Sequence, residues 1–566
     1  MKVFRDSIHG DIELAEHEMR VIHTPGFQRL NGCRQLGLTY LVYPAAKHTR
    51  FEHVLGVMHI ATQIAKNLKY LRDQRPVFDR SNGPHLQDVL RLSALLHDIA
   101  HVPFGHTLED EMPQIPEHDA VSDEDGGASR PERAVRSVLT ESGNKKYIEP
   151  VLQTLRAIHE SKDDSKLYSS VESEKIQPDF LILADIIGNT ICADLLDYIK
   201  RDHLMTGIRA TYDERIFRYF AVGEHQYKDK SYNRLIINLV KNGRVRGDCL
   251  ADLLDILKLR YNLSDKVLYH PKKCAADAML IRAVSDLRLD EKSLMQLSDD
   301  GLLDKHRDNA LIAMLRRRRL YKPVFVCRWE HIHSYDDKKD KREKTGALRE
   351  NQTLRKRIEK QIAKDLGLPD DQPRVLIFCP DPRMSLKLIR VLVHWKDGTI
   401  QRLNEIARSD DPLTVDQVSV LQEIYPELWK LYLFVDPSLR SRGHKIRQRF
   451  CELLKRELGL DATCDPAYQH YLETTCEDYR LGQRLDKELG NTEAYFKLPE
   501  SRRSKLWSEC HDRLPLDGYD EDFADVVEVA SRHDEQGVSR ALQRIIRTVL
   551  KSSIRTEARR KLRPKP

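Results

Sequence analysis

Three places in the chain combine imidazole and carboxylate in a way that suits a first-row divalent cation. They are His53 in Arg50-Phe51-Glu52-His53, the doublet His97-Asp98, and Asp194 in Ala193-Asp194-Leu195-Leu196-Asp197-Tyr198. Each has apolar neighbours and falls on an expected helix. A mixed nitrogen and oxygen donor set suits Mn, Fe, Ni or Zn, and its carboxylates also suit Mg. A cation so held can polarise a phosphoryl oxygen and acidify water. A single His-Asp doublet is common by chance, and a lone His or Asp in a helix is usually structural. The surroundings decide here: His97-Asp98-Ile99-Ala100-His101-Val102-Pro103-Phe104-Gly105-His106 holds three histidines and an aspartate in ten residues. The spacing puts His101 at i+4 from His97, on one helical face. A shared polar cavity is the simplest reason for such a run.

The elements that must position these groups read mostly as helices. From Phe51 to Leu71 the apolar residues recur at helical spacing, and a second amphipathic segment runs from Gly83-Pro84 through Ile99 to a stop at Pro103. Met112 to Ser129 is polar, acidic and Gly/Pro-containing, which reads as a loop. Ser129 then caps a new helix with Pro131 and Glu132 in its first turn. One further helix is expected over Leu181 to Lys200, and others follow to about Leu315. After Arg316-Arg317-Arg318-Arg319 short apolar runs suggest strands at Pro323–Cys327, Val375–Cys379 and Leu431–Val435, and the charge run Asp336–Arg342 reads as a solvated loop or linker. The expected fold class is mainly α: a helical domain over 1–320, a smaller α+β lobe over 321–460, and a helical C-terminal extension over 461–566.

The motifs resemble the HD-domain phosphohydrolase superfamily, whose signature is H…HD…D. More narrowly they resemble the deoxynucleoside triphosphate triphosphohydrolases, the vertebrate enzyme that joins a sterile-alpha-motif domain to an HD domain and its bacterial relatives. The residues that bear this are Lys2 to Leu14, Thr24-Pro25-Gly26-Phe27-Gln28-Arg29-Leu30, Arg34-Gln35-Leu36-Gly37, Tyr43-Pro44 and His48-Thr49-Arg50-Phe51-Glu52-His53. The likeness covers residues 1–330 and, more faintly, the lobe to about 460. It implies an HD enzyme without a sterile-alpha-motif domain. It also implies His53, His97, Asp98 and Asp194 as metal ligands. Arg50, Tyr198, Asp202 and Arg260 would contact substrate, and Gln35 and Leu36 would touch the deoxyribose and exclude a 2′-hydroxyl. His101 and His106 would be catalytic, with His106 the proton donor and Glu109 its carboxylate partner. The implied reaction is hydrolysis of a deoxynucleoside triphosphate to deoxynucleoside and inorganic triphosphate by a homo-oligomer. Other readings stay open: an HD-type phosphohydrolase on another nucleotide, a nuclease on single strands, or a nucleotide-sensing regulatory subunit.

Some positions depart from the family pattern. Leu195 stands in place of a phosphate-binding lysine, Leu268 in place of a tyrosine (Tyr269 is adjacent), and Pro131-Glu132 where a histidine usually opens the helix, with His118 in the loop a poor substitute.

Bulk composition sets the outer limits. Lys plus Arg number 94 and Asp plus Glu 88, a net charge of +6. The last sixteen residues, Lys551–Pro566, hold seven basic residues and one acid, so the excess sits on a tail that could meet nucleic acid or an acidic partner. The ten cysteines form no C-x-x-C pair, which disfavours zinc ribbons and thioredoxin-like sites and reads as buried reduced thiols. No long apolar run or signal peptide is apparent, so a cytoplasmic chain without a membrane partner is expected.

In the resembled family a guanine nucleotide near the N-terminus assembles the active oligomer, and guanine is read by a carboxylate and an arginine. Those positions are His23 and Asn31 here, whereas Lys2, Val3 and Gln28 persist. A carboxylate accepts the guanine edge bidentately, while an imidazole offers one acceptor nitrogen. GTP titrated at fixed substrate should therefore leave both rate and sedimentation unchanged. A saturable rise in rate with a shift to a larger species would contradict this.

Overall fold

The computed structural model describes residues 2–78, 83–121, 127–334, 338–368, 372–381, 391–406 and 423–490, with 420, 507 and 510. The expected basic tail Lys551–Pro566 lies outside the described residues. The fold is mainly α, with strands confined to small sheets. By internal contacts the chain divides into two compact units: residues 1–273, 284–307 and 383–428, and residues 274–283, 308–382 and 429–566. This division is not the contiguous one read from composition, because residues 383–428 return to the first unit. Among the described residues no helix is long and apolar enough to cross a membrane, and eight of the ten free cysteines are buried.

The first unit opens with an antiparallel hairpin, β1 (Lys2–Asp6) and β2 (Gly10–Leu14). Its longest helices are α1 (Arg50–Asn67), α2 (Gly83–Leu96), α3 (Arg130–Glu141), α4 (Ile148–Glu160), α5 (Asp179–Gly188), α6 (Ala193–Thr206) and α7 (Gly247–Leu263). α1 starts where Glu52 Oε2 accepts the Thr49 N–H at 2.5 Å, and it is buried on nearly every face, by Val54, Leu55, Val57, Met58, Ile60, Ala61 and Ile64 among others. A helix surrounded in this way is a central strut of the core. α3 begins as the sequence suggests: Ser129 Oγ accepts the Glu132 N–H and Pro131 occupies the first turn.

Three expectations for this unit fail for identifiable reasons. α2 ends at Leu96, and residues 97–100 form turns with i→i+3 bonds, Ile99 N to Leu96 O and His101 N to Asp98 O. His97, Asp98 and His101 therefore do not share one α-helical face. The helix expected over Leu181–Lys200 is two helices. Gly188 and Asn189 end α5, with Asn189 Nδ2 donating to Asp185 Oδ1 at 3.1 Å, and Cys192 caps α6. The break places Asp194 in the first turn of α6, where the helix dipole favours a carboxylate. Finally, the expected run of helices is interrupted by a hairpin, β3 (Phe220–Tyr227) and β4 (Lys230–Asn238), which joins Leu392–His394 and Ile400–Arg402 in a four-stranded sheet. Its tight turn puts Lys228 at φ 52°, a conformation usually signalled by Gly or Asn, so the sequence gives no cue.

The second unit contains the three strands read from the sequence, observed at Lys322–Arg328, Val375–Phe378 and Lys430–Val435. The last is central and antiparallel to both others. The helices Gln352–Asp365 and Gly443–Leu458 contribute Ile358, Ile362, Phe450 and Leu454 to the same core. The charge run read as a linker becomes helical from Lys338, in Lys338–Glu350. Pro466–Thr475 and Glu477–Gly490 are helical, as expected for the start of the C-terminal extension.

One close approach in the first unit fixes the spacing of α1 and α6. A methyl carbon at Gly56 would overlap Asp197 Oδ1 and lie 2.5 Å from Arg201 Nη2. Both groups are fully buried, so neither can swing aside. Gly56→Ala should destabilise the protein by about 3 kcal/mol, the scale of overpacking a filled core. Thermal unfolding of the variant, measured beside the parent, checks this.

Candidate metal centre and active site

His53 and His97 face each other with their ring nitrogens already sorted. His97 Nδ1 lies 2.8 Å from the Ala94 carbonyl, which can only accept, so Nδ1 bears the proton and Nε2 the lone pair. His53 Nδ1 donates in the same way to Asp197 Oδ2 at 2.8 Å. Both Nε2 atoms are buried without a hydrogen-bond partner. Around them stand two carboxylates: Asp194 Oδ1 lies 3.0 Å from His53 Nε2 and 4.0 Å from His97 Nε2, and Asp98 Oδ1 lies 3.4 Å from His97 Nε2. Ligands that share a cation at about 2.1 Å sit roughly 3–4 Å apart. Two buried lone pairs and two carboxylates at that spacing fit a divalent cation, and His53, His97 and Asp98 form a group that could hold one. Burial alone would make the His53 ring harder to protonate, but Asp194 and Asp197 outweigh it and raise it to about 10, so without a cation Nε2 also holds a proton toward Asp194, which a bound metal ion would displace. The pocket is built for positive charge.

Asp197 was not anticipated. Fully buried, it accepts from His53 Nδ1, from His9 Nε2 at 2.7 Å and from Arg201 Nε and Nη2 at 2.9 Å each, while Arg201 Nη1 reaches Asp6 at 2.9 Å. Burial works against its charge, yet Arg201, His53 and His9 hold the carboxyl well below the usual range. The hairpin turn between β1 and β2 thus helps orient His53, a candidate ligand on α1. Its position three residues after Asp194 was the available signal.

The other expected residues fall into two groups. Arg50 is 2% exposed and its Nη1 donates to Asp98 Oδ2 at 2.5 Å. Gly105, at φ 40°, leaves room for that guanidinium. His101 is buried, 3.3 Å from Asp98 Oδ1 and 2.9 Å from Glu109 Oε2. Burial and Arg50 push its pKa down to about 4, so it is neutral near pH 7. Glu109 is not the partner expected for His106. It binds His118 Nδ1 at 3.1 Å, Arg130 Nη2 at 3.0 Å and the Val102 N–H, whereas His106 is exposed with Asp110 at 3.3 Å. His118, only a substitute in the sequence reading, stacks on His101 with ring centroids 3.5 Å apart.

On another side Leu36 packs with Ala46, Leu263, Val267, Tyr198 and Leu268, the last being the residue in place of the expected tyrosine. Beside it Gln35 Oε1 is buried without a partner. Arg260 shares the fields of Tyr198 and Asp194, which outweigh burial and raise its pKa. Asp202 is buried and paired with His48 Nε2 at 2.8 Å, and the His48 carbonyl accepts the Gln35 N–H. Asp202 is thus linked to the backbone of Gln35 by way of His48. Leu195 is part of the apolar core. His23 and Asn31 are exposed, and Asn31 Nδ2 donates to Gln28 Oε1. Asp299, which no sequence signal marks, accepts the N–H of Arg34 at 2.9 Å and of Phe104 at 2.7 Å, bracing both groups.

Residues 50–202 match the family model of the HD domain. That stretch includes His53, His97, Asp98 and Asp194. The chain is 33% identical over 337 residues to an uncharacterized protein of Methanocaldococcus jannaschii, covering 58% of this chain and 60% of that one. It is 27% identical over 347 residues to a deoxynucleoside triphosphate triphosphohydrolase SAMHD1 homolog of Dictyostelium discoideum, covering 57% and 60%. The Mus musculus deoxynucleoside triphosphate triphosphohydrolase SAMHD1 matches at 30% over 299 residues, covering 50% and 44%. The chain thus spans about 60% or less of the length of these relatives. A solved structure from Aquifex aeolicus, described as a hypothetical protein, shares the fold at TM-score 0.50 and 22% identity, over 79% of this chain and 99% of that one.

Partners that orient a metal-bound histidine usually matter 10–100-fold in affinity. Asp197→Asn should weaken Mn²⁺ binding to the HD domain by about that factor, read by competition with a chelating dye. Unchanged affinity would show that His53 needs no such partner.

Proposed function

We propose that the chain is a metal-dependent phosphohydrolase that cleaves deoxynucleoside triphosphates to deoxynucleoside and inorganic triphosphate. The observation that supports it most is the convergence of His53, His97, Asp98 and Asp194 around two buried Nε2 atoms. A divalent cation there would supply Lewis acidity toward a phosphoryl oxygen and toward water. The remaining steps belong to side chains. Arg50, beside Asp98, and Arg260 offer fixed positive charge to the phosphates. His101, neutral and fully buried, can accept a proton from the attacking water. His106, exposed and with its ring centroid 5.0 Å from that of His101, would protonate the departing 5′-oxygen. His118 faces the same space, and its pKa is raised by Glu109 and Asp119 against burial, which favours a second proton donor.

The choice of a deoxynucleotide rests on the relatives' names and on one corner of the site. Gln35 Oε1 is a buried acceptor in want of a donor, such as a 3′-hydroxyl, and Leu36 beside it presents only apolar surface. A 2′-hydroxyl directed at Leu36 would clash or lose its hydrogen bonds, and apolar pockets reject an added hydroxyl by roughly 100-fold. With Mn²⁺ present, dATP should be hydrolysed about 100 times more efficiently than ATP, with triphosphate as the inorganic product on ion-exchange chromatography. Equal kcat/KM values, or release of phosphate or pyrophosphate, would contradict the assignment.

A further inference from the structure

His118 lies in residues 110–121, which form turns and irregular backbone, and a loop alone does not fix a ring to within a fraction of an ångström. Here the ring is nonetheless confined. Nδ1 is hydrogen-bonded to Glu109 Oε2 at 3.1 Å, the ring stacks on His101, and Nε2 lies 3.8 Å from Asp98 Oδ1. The backbone on either side is tied down separately. Before His118, Arg130 Nη2 donates to the Pro116 carbonyl at 2.7 Å while also binding Glu109. After it, Asp119 meets the end of α4: His159 Nδ1 lies 3.2 Å from Oδ1 and Lys162 Nζ 2.9 Å from Oδ2. Lys162 also pairs with Glu117, and Val121 is buried in the main core.

These contacts are not equivalent. The Glu117–Lys162 pair is well exposed and contributes little by itself. Asp119 is mostly covered, with 17% of its side chain exposed, so loss of its partners would leave a carboxylate poorly compensated. Burial opposes its charge, and His159, His118 and Lys162 together hold it well below the usual carboxylate range. Glu117, Asp119 and His159 could by composition hold a metal ion, but the Lys162 ammonium already sits on both carboxylates.

We propose that His159 and Lys162 are positioning residues of the active site: through Asp119 they fix the loop that delivers His118 to the reacting atoms. The proposal rests on the hydrolytic reading above and adds to it a clamp on a different helix, remote from the metal ligands in sequence.

The test is a double-mutant cycle on the full chain loaded with Mn²⁺, assayed with dATP and with bis(p-nitrophenyl) phosphate as a generic phosphodiester. His118→Ala should lower kcat about 100-fold, the usual scale for a lost acid–base group. His159→Ala and Lys162→Met should each lower kcat about tenfold with KM and bound manganese unchanged, and Lys162→Arg should restore most of the rate. In the His118→Ala background, Lys162→Met should cost less than a further twofold, because both changes act through one ring. Additive losses, a change in KM or in metal content, or full activity of the His159→Ala/Lys162→Met double variant would overturn the proposal. If dATP is inert and the diester is cleaved, the substrate assignment fails and the cycle on the diester still decides the clamp. If neither is cleaved, hydrogen exchange decides. Loss of protection confined to residues 115–121 in the double variant supports the clamp, and unchanged protection overturns it.

Discussion

A single buried carboxylate, Asp197, supports much of the site. It binds a ligand imidazole from α1, an arginine from its own helix and a histidine from the N-terminal turn, all within 2.9 Å. An unpaired carboxylate at full burial would be very unfavourable, so each partner is required by the others. The consequence reaches the metal centre directly. With its Nδ1 proton committed to Asp197, His53 has one nitrogen left and one direction in which to aim it. The missing side chain at Gly56 belongs to the same constraint, since only bare backbone allows α1 to approach that carboxylate.

The chemistry was more legible in the sequence than the geometry. His53, His97, Asp98 and Asp194 could be picked out as candidates because metal ligands must be particular residue types, and the structure brings these four side chains together. The three strands of the second unit were legible as apolar runs. The hairpin at 220–238 was not, because its turn residue Lys228 takes a left-handed conformation without the Gly or Asn that would announce it. The break between α5 and α6 was hidden by continuous apolar periodicity, although Gly188 and Asn189 mark it in retrospect. Sequence periodicity also extended α2 through His101, where the chain has already left the helix, so an i+4 relation was inferred for residues that a tight turn brings together.

Partners of the ligands were the least legible part. Asp299 is 195 residues from Phe104 and 265 from Arg34, and nothing local distinguishes it from the adjacent Asp300. Yet it holds a turn in which Phe104 and Gly105 both have positive φ, at 60° and 40°, a conformation costly for a phenylalanine. Burial pushes the Asp299 carboxyl up to about 6, and the two backbone N–H groups offset only part of that. Position and strain of this kind arise from tertiary packing, which no window of sequence contains.

The long spans of these contacts also bear on how the centre comes into being. His9 meets Asp197 across 188 residues, and Arg34 meets Asp299 across 265. Closing such large loops is entropically expensive and slow compared with forming local helices. On a ribosome the His97-Asp98 doublet emerges long before Asp194, Asp197 or Asp299, so the growing chain offers a cation only scattered, weakly competing side chains. The four candidate ligands are all present only once Asp194 has been released, and Asp299, which braces Arg34 and Phe104, follows later still. A cation bound there would be captured late, selected among ions available to a finished domain, and would stabilise the folded state by mass action.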